Sequence, residues 1–244
     1  MTFATIAVIF AGAFAGGFVS GLAGFGLALI ALGVWINVID PVPAVMAVLA
    51  CSVSAQASTI RTVWHAIEPR RVLPFILPGL AGIPIGVMLL GSIPVATFKL
   101  LLGWLLVLFG VGLIVLRKPI GLTWGGRIAD GVMGFLGGVM GGLAGLSGPL
   151  PTLWAVLRGW GKDEKRSVFQ AYNVSILGAS LVVGILTGKF GLEALKVFAV
   201  ALPGALAGAW IGVRAYGRLS DRRFTDVILA LMAVSGVVLL WNGR

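Results

Sequence analysis

The chain has 244 residues, of which 59% are hydrophobic and only 11% are charged, and its formal net charge is +10. A soluble domain carries about 25% charged residues, so this composition excludes an ordinary water-soluble fold and indicates an integral membrane protein. The basic residues lie in short breaks between long apolar runs. That pattern sets orientation in a membrane and is not typical of a nucleic-acid-binding surface, so no nucleic acid partner is expected.

The long apolar runs predict an all-α integral membrane protein, because each approaches the roughly 20 residues that a helix needs to cross a bilayer. In chain order, the sequence predicts a first repeat at 1–118, a cytoplasmic linker at 119–127 and a second repeat at 128–244. Each repeat is predicted to be a broken, re-entrant helical hairpin followed by three transmembrane helices. The hairpins are predicted at 3–37 and 128–157, and the transmembrane helices at 43–61, 71–91, 95–116, 167–187, 195–213 and 224–241.

The two halves of the chain resemble each other at a nearly constant spacing. The Gly-Leu-Ala-Gly of residues 21–24 recurs 121 positions later at 142–145. The Ile-Gly-Val of residues 85–87 recurs 126 positions later at 211–213. Matches that keep their order with one small change of spacing indicate an internal repeat.

The basic segments predict that these repeats are inverted. Most of the 18 lysine and arginine residues fall in four segments, which the positive-inside rule assigns to the cytoplasm. Equivalent loops of the two halves then lie on opposite sides of the membrane, and both termini lie outside. Inverted repeats are a recurring design of secondary transporters, with substrate bound near the midplane. The four cytoplasmic segments are 61–71, 117–127, 158–166 and 214–223.

Both hairpins are predicted to contain a break within the membrane. Between the basic segments that end at 127 and begin at 158, about 30 residues must leave and return to one side. Two full crossings need about 40 residues, so two short half-helices that meet partway are expected. The expected breaks are 145–151 and, by equivalence, 24–26. Each exposes the N-terminus of a half-helix, whose free N–H groups and positive dipole end favour an anion.

Polar side chains on one predicted helix face indicate where a substrate binds. Arg166, Gln170 and Asn173 are spaced i, i+4 and i+7, which places them on one face, and Tyr172 flanks it. In the first half, Ser52 is the equivalent of Asn173. Amide, hydroxyl and guanidinium donors suit a tetrahedral oxyanion.

These observations predict a substrate site, and each polar group in it also has an alternative, structural role. Hydrogen bonding between helices competes with substrate contact as the role of the buried amides, and bonding to the backbone of their own helix competes as the role of the hydroxyls. Arg61 and Arg166 are predicted to attract the anion at the entrance, and arginines in such places are also typical anchors of orientation. The predicted substrate-binding residues are Gly24, Phe25, Gly26, Ser52, Gln56, Gly145, Ser147, Gly148, Gln170, Tyr172 and Asn173.

Four segments carry a resemblance to a known family. They are 17–26 (Gly-Phe-Val-Ser-Gly-Leu-Ala-Gly-Phe-Gly), 142–149 (Gly-Leu-Ala-Gly-Leu-Ser-Gly-Pro), 157–160 (Leu-Arg-Gly-Trp) and 166–173 (Arg-Ser-Val-Phe-Gln-Ala-Tyr-Asn). Over essentially its whole length the chain resembles the sulfite exporter TauE/SafE family of anion permeases. One departure is that Leu27 and Ala28 follow Gly26, where the family commonly continues with glycine.

The resemblance implies transport of small sulfur-containing anions, sulfite or short organosulfonates, across the bacterial inner membrane. Alternating access of the two repeats is the expected mechanism, and export is the expected direction. A channel, or an importer of another small organic anion or neutral solute, remains the alternative.

No enzymatic activity and no cofactor or metal are expected. The chain has one histidine and one cysteine, and its acidic residues lie in loops or near the ends of the predicted spans. Hydrolytic and metal chemistry therefore lack the side chains that they need. The expected partners are a small anionic substrate, the lipid bilayer and, as an open alternative, a second copy of the chain in a homodimer.

Overall fold

The computed structural model describes residues 1–60, 67–94 and 124–216, scattered positions between 96 and 108, and Val237 and Leu240. These residues form helices, turns and bends without any strand, which confirms the all-α class. The helices with described bounds are α1 (Phe3–Ala23), α2 (Leu27–Trp35), α3 (Pro41–Thr59), α4 (Pro69–Leu89), α5 (Gly126–Ala144), α6 (Pro149–Leu157), α7 (Lys162–Leu186) and α8 (Leu192–Tyr216).

Within the described part of the chain, five helices are long and apolar enough to cross a membrane. They are α1, α3, α4, α8 and the part of α7 from Arg166 to Leu186. Helices α3, α4, α7 and α8 overlap the spans predicted from the sequence. The spans predicted at 95–116 and 224–241 fall largely outside the described residues.

The outer surface of the bundle is apolar. Large side chains such as Met88, Ile128, Leu186 and Leu192 are strongly exposed. A water-soluble protein rarely exposes so extensive an apolar surface, whereas a bilayer solvates it. Together with the five candidate spans, this surface supports a multi-pass membrane protein.

Each hairpin is interrupted at a glycine in the left-handed conformation. Helix α1 ends where Gly24 adopts φ 78° and donates its N–H to Ser20 O at 2.8 Å. Helix α5 ends in the same way at Gly145, with φ 67° and an N–H bond to Gly141 O at 2.8 Å. A positive φ is accessible to glycine without the Cβ penalty of other residues. Equivalent glycines therefore end the first arm of both hairpins.

The arms of each hairpin are unequal in length. The first arms, α1 and α5, have 21 and 19 residues, whereas the second arms, α2 and α6, have 9 residues each. At about 1.5 Å per residue, the first arms approach the thickness of a bilayer core. The prediction of two short half-helices is therefore wrong for the first arm. Counting residues limits the total length of a hairpin but does not fix where its break lies.

The long arms pack in backbone contact against helices of the other half. Gly17 of α1 lies against the backbone of Ala205 in α8. The equivalent of Gly17 in the second half is Gly138 of α5, which lies against the backbone of Gly79 in α4. Gly79 is in turn the equivalent of Ala205, so the two contacts correspond.

The correspondence continues along both helix pairs. Gly86 of α4 lies against Val139 of α5, and the equivalent Gly212 of α8 lies against Phe18 of α1. In both pairs the residue numbers of the two helices rise together, so the paired helices are parallel. Small residues permit this close approach, which is a common way to pack helices in membranes.

Helices α3 and α7 pack against each other between the glycine-rich pairs. Gly184 of α7 lies beside Met46 of α3, and Gln170 of α7 lies beside Thr59 of α3, so the two helices are antiparallel. Helix α3 also packs on α8, and α7 packs on α4. The central pair therefore joins the two outer pairs, and its buried polar side chains lie inside the protein.

We predict that Gly138→Ala destabilises the protein. The added methyl group would overlap the carbonyl oxygen of Gly79 and force α4 and α5 apart. Overpacking of this kind costs about 1–3 kcal/mol, so the thermal unfolding midpoint in detergent should fall by several degrees.

Gly178→Ala is the matched control, because it adds the same methyl group within α7 where no described neighbour lies within 4 Å. Its midpoint should stay unchanged or rise, since alanine is the better helix former. Equal midpoints for the two variants would contradict the close packing of α4 on α5.

Candidate functional site

The two helix breaks meet in the interior of the described helices. The ring of Phe25 packs onto Gly148, where a Cβ atom would come within 2.6 Å of it. A small cavity of about 10 Å³ lies between the breaks, which is room for about one water molecule. The lining residues are Phe25, Gly26, Leu27, Leu29, Ser52, Gly145, Leu146, Ser147, Gly148, Pro149, Asn173 and Leu177.

Asn173 connects both breaks. Its side-chain oxygen accepts a hydrogen bond from the Ser147 hydroxyl in the second break. Its Nδ2 group donates to Gly24 O in the first break at 3.3 Å. The side chain is fully buried. A single amide from α7 therefore holds together the two irregular segments, which a lipid environment would leave without partners.

Ser52 lines the same cavity from α3. It is 1% exposed and is the equivalent of Asn173 in the first half. The antiparallel helices α3 and α7 thus contribute equivalent positions to one cavity. The sequence predicted both residues as substrate ligands, and the structure brings them together.

The N-termini of the two short helices also border the cavity. Gly26 and Leu27 open α2, and Gly148 and Pro149 open α6. The first N–H groups of a helix have no partner within it and carry a partial positive charge. Proline has no N–H, so Pro149 reduces the number of donors at the α6 end. Helix α2 is therefore the richer source of backbone donors.

Gln170 lies beside the cavity and makes hydrogen bonds between helices. Its Nε2 group donates to Thr59 Oγ1 at 2.8 Å and to Gln56 O at 3.3 Å. The side-chain oxygens of Gln170 and Gln56 are buried and have no partner among the described residues. These two amides thus leave two acceptors near the junction of α3 and α7. Neither residue lines the small cavity itself.

Arg166 is buried rather than placed at an open entrance. Its side chain is 1% exposed, and its NH2 group donates to Gly21 O at 3.0 Å. Its guanidinium carbon lies 3.9 Å from the centre of the Tyr216 ring. The Arg166 side chain also passes close to Gly24. Arg61, the other predicted entrance residue, lies outside the described residues.

Tyr172 does not reach the cavity. Its hydroxyl donates to Gly134 O at 2.6 Å, and its ring packs edge-on against Phe75 at 6.3 Å between centroids. Although it adjoins Asn173 in the sequence, successive residues on a helix point about 100° apart. The structure therefore places Tyr172 in the contact of α7 with α4 and α5.

A partly buried ion pair in the second hairpin was not among the predicted site residues. Asp130 of α5 accepts hydrogen bonds from Trp154 Nε1 at 2.7 Å and from Arg158 NH1 at 2.8 Å. The Arg158 guanidinium also lies over the Trp154 ring, 5.7 Å from its centre. These contacts hold the two arms together. An acid and an arginine within one apolar hairpin are the sequence signal that indicates this pair.

The polar side chains that line the cavity are uncharged. Ser52, Ser147 and Asn173 present hydroxyl and amide groups beside the N-termini of α2 and α6. None of its described lining residues is ionisable near neutral pH. Within the described ranges, no three His, Cys, Asp or Glu side chains lie close enough together to hold a metal ion.

Five candidate spans and glycine-packed helices define a multi-pass membrane protein, and a small cavity with three polar side chains lies among its helices. The chain belongs to the sulfite exporter TauE/SafE family, whose sequence model matches residues 8–239. It is therefore a membrane anion transporter and not an enzyme. Comparisons with curated proteins and with solved structures found no match.

We predict that Tyr172→Phe lowers stability and leaves anion affinity unchanged. The variant loses the hydrogen bond to Gly134 O, which is worth about 0.5–1.5 kcal/mol, and keeps the aromatic packing. Thermal unfolding and a titration with the bound anion measure the two properties separately. A marked loss of affinity with unchanged stability would instead make Tyr172 a substrate ligand.

Proposed function

We propose that the protein is a secondary transporter that exports small sulfur-containing anions, sulfite or short organosulfonates, across the bacterial inner membrane. The observation that carries the proposal is the convergence of two helix breaks, two helix N-termini and two equivalent polar residues on one buried cavity. Membership of the sulfite exporter family supports the substrate class. The positive-inside pattern supports the orientation, with both termini outside.

The two halves are proposed to be inverted repeats related by an approximate twofold axis near the cavity. The parallel pair α1 and α8 corresponds to the parallel pair α5 and α4, and the antiparallel α3 and α7 correspond to each other. On the predicted orientation, α1 and α8 begin outside while α4 and α5 begin inside. This arrangement supports inversion, because equivalent helices then run in opposite directions.

The donors around the cavity are proposed to bind the oxygens of the anion. Asn173 Nδ2 and the Ser147 hydroxyl now bond to protein groups, and both can turn toward a ligand. The N–H groups at the start of α2 add positive potential without a formal charge. Such a site favours an anion and still lets it leave, since release leaves no charged side chain of the cavity lining buried without a partner.

The substrate-binding state requires the two breaks to separate. A cavity of about 10 Å³ holds about one water and no sulfonate, so this arrangement would be a closed state of the proposed transport cycle. Phe25 packed on Gly148 closes the space between the breaks. Movement of one hairpin against the other would open the site.

Contacts between the halves at the two ends of the bundle are candidates for alternating gates. At one end, Arg71 of α4 pairs with Glu164 of α7. At the other end, Lys189 Nζ donates to Leu90 O, just beyond α4, at 2.7 Å. Each contact joins one half to the other, so alternating access would break one while the other holds.

Arg166 is proposed to attract the anion when the cytoplasmic side opens. Its guanidinium lies beside the first break through its bond to Gly21 O. Separation of α1 or α8 from α7 would expose this charge on the path to Asn173. Arg61 would act earlier on the same path.

The membrane potential supplies a driving force for export. An inside-negative potential favours outward movement of an anion by roughly 2.3 kcal/mol per charge per 100 mV. A small chamber between the two breaks favours a gated transporter over a channel, which would need a continuous polar pore. A homodimer remains a prediction from the sequence.

We predict that a sulfonate or sulfite selectively raises the unfolding midpoint of the purified protein, and that Asn173→Ala abolishes both this shift and transport. A ligand at 100 times its Kd stabilises the native state by about 2.7 kcal/mol, which a thermal scan detects. The panel is sulfite, sulfate, thiosulfate, sulfoacetate, taurine and acetate.

Ser175→Ala is the matched control for this experiment. Ser175 lies two residues from Asn173 on α7, but its hydroxyl donates to Ala171 O at 2.9 Å within its own helix. Removal of the Ser175 hydroxyl should leave both the shift of the unfolding midpoint by the anion and transport intact. Equal shifts with every anion, or no shift with any, would refute the proposed site. Loss of folded Asn173→Ala protein would assign the residue to fold stability instead.

Alternating access predicts that position 147 becomes reachable from each side of the membrane in turn. In a Cys51→Ser background, Ser147→Cys should react with a charged, impermeant thiol reagent added to right-side-out or to inverted vesicles. A bound sulfonate should slow both reactions. Gly188→Cys, in the exposed turn after α7, should react from one side only. Reaction of Ser147→Cys from a single side would argue against alternating access.

A further inference from the structure

A groove with two arginines at one end runs along the outer surface between α4 and α5. Its volume is about 460 Å³. Leu73 and Leu77 form one apolar wall and are well exposed, and Pro74 and Pro78 also line the groove. The floor lies at Gly131 of α5, where an added Cβ would be 3.4 Å from Pro78 Cγ. The groove is separate from the central cavity.

The two arginines, Arg70 and Arg127, occupy the first turns of α4 and α5. Both are exposed, and neither has a hydrogen bond or ion pair with another described residue. Their neighbour Arg71, by contrast, is paired with Glu68 at 2.7 Å and with Glu164. The helices are parallel, so their positive dipole ends lie together at the same end of the groove. This end therefore presents uncompensated positive charge.

The equivalent position on the other half of the protein is filled. Phe10 of α1 is the equivalent of Gly131, and Gly204 of α8 is the equivalent of Pro78. The Phe10 ring lies 3.3 Å from where a Cβ of Gly204 would be. The equivalent of Arg127 in that half is the uncharged Ile6. The open groove and its arginine pair thus belong to α4 and α5 alone, although the two helix pairs share one packing arrangement.

We propose that this groove binds an anionic phospholipid. The phosphate would lie between Arg70 and Arg127, where guanidinium groups make charge-assisted hydrogen bonds to phosphate oxygens. One acyl chain would follow the wall formed by Leu73 and Leu77. The arginines and the exposed Trp124 mark the level of the headgroups, where charged and aromatic residues collect. By the positive-inside pattern this is the cytoplasmic leaflet, whose anionic lipids attract basic residues.

The test measures lipid retained by the purified, delipidated protein using native mass spectrometry. Phosphatidylglycerol and phosphatidylcholine with identical acyl chains are the two probes. The expected result is preferential binding of phosphatidylglycerol. Arg70→Ala and Arg127→Ala should each weaken it about five-fold, since a basic residue at an anionic membrane surface contributes that order of affinity.

Lys196→Ala is the charge-matched control, because Lys196 is the exposed equivalent of Arg70 on α8. It should leave phosphatidylglycerol binding unchanged. Equal loss in all three variants would mean attraction to net charge alone and would overturn the groove as a site. Equal retention of the two lipids would overturn the proposal as well.

Two further measurements distinguish binding of a lipid from binding of a free anion. Gly131→Phe should fill the groove as Phe10 does in the other half, and should weaken phosphatidylglycerol binding with both arginines intact. Inorganic phosphate at millimolar concentration should not displace the lipid. Displacement by phosphate, or full binding in a folded Gly131→Phe protein, would contradict an acyl chain in the groove.

Discussion

Irregular backbone cannot face lipid, because nothing in the hydrocarbon satisfies its N–H and C=O groups. Both breaks in this protein therefore have to be enclosed, and each is enclosed by a central helix of the other half. Gly24 packs beside Arg166 and Gln170 of α7, while Gly145 packs beside Val48 of α3. This enclosure brings the two breaks together and leaves a cavity between them. The position of the candidate site follows from the need to cover the breaks.

Enclosure also explains where the glycines lie. Each long hairpin arm packs in backbone contact with a helix of the opposite half, as Gly17 does with Ala205 and Gly138 does with Gly79. The halves are therefore interlocked and are not two bodies that touch at one surface. Two helix faces that meet at glycines can slide past each other with few side-chain rotamers to rearrange, whereas interdigitated side chains resist sliding. Motion of a hairpin along its glycine face is therefore the movement that we propose for opening of the site.

Much of this arrangement could be predicted from the sequence, because it depends on glycine and on repeated spacing. The αL caps at Gly24 and Gly145 and the correspondence of Ser52 with Asn173 are of this kind. The direction of Tyr172 was not predictable, since α7 carries apolar residues around its circumference and adjacent positions differ by about 100°. The burial of Arg166 depends on α1 and α8, which contact it from distant parts of the chain.

The two halves repeat one backbone arrangement but place different side chains beside their breaks. The first break lies against Gln170 and Arg166, whose equivalents on α3 are Leu49 and Val45, so the second break lies against an apolar face. An anion that shifts toward one break or the other would meet different partners, so the two open states of the proposed cycle would bind it with different affinity. Such a difference changes the populations of the states in the presence of substrate. It cannot set the net direction, which depends on the concentration gradient and on the membrane potential acting on the charge.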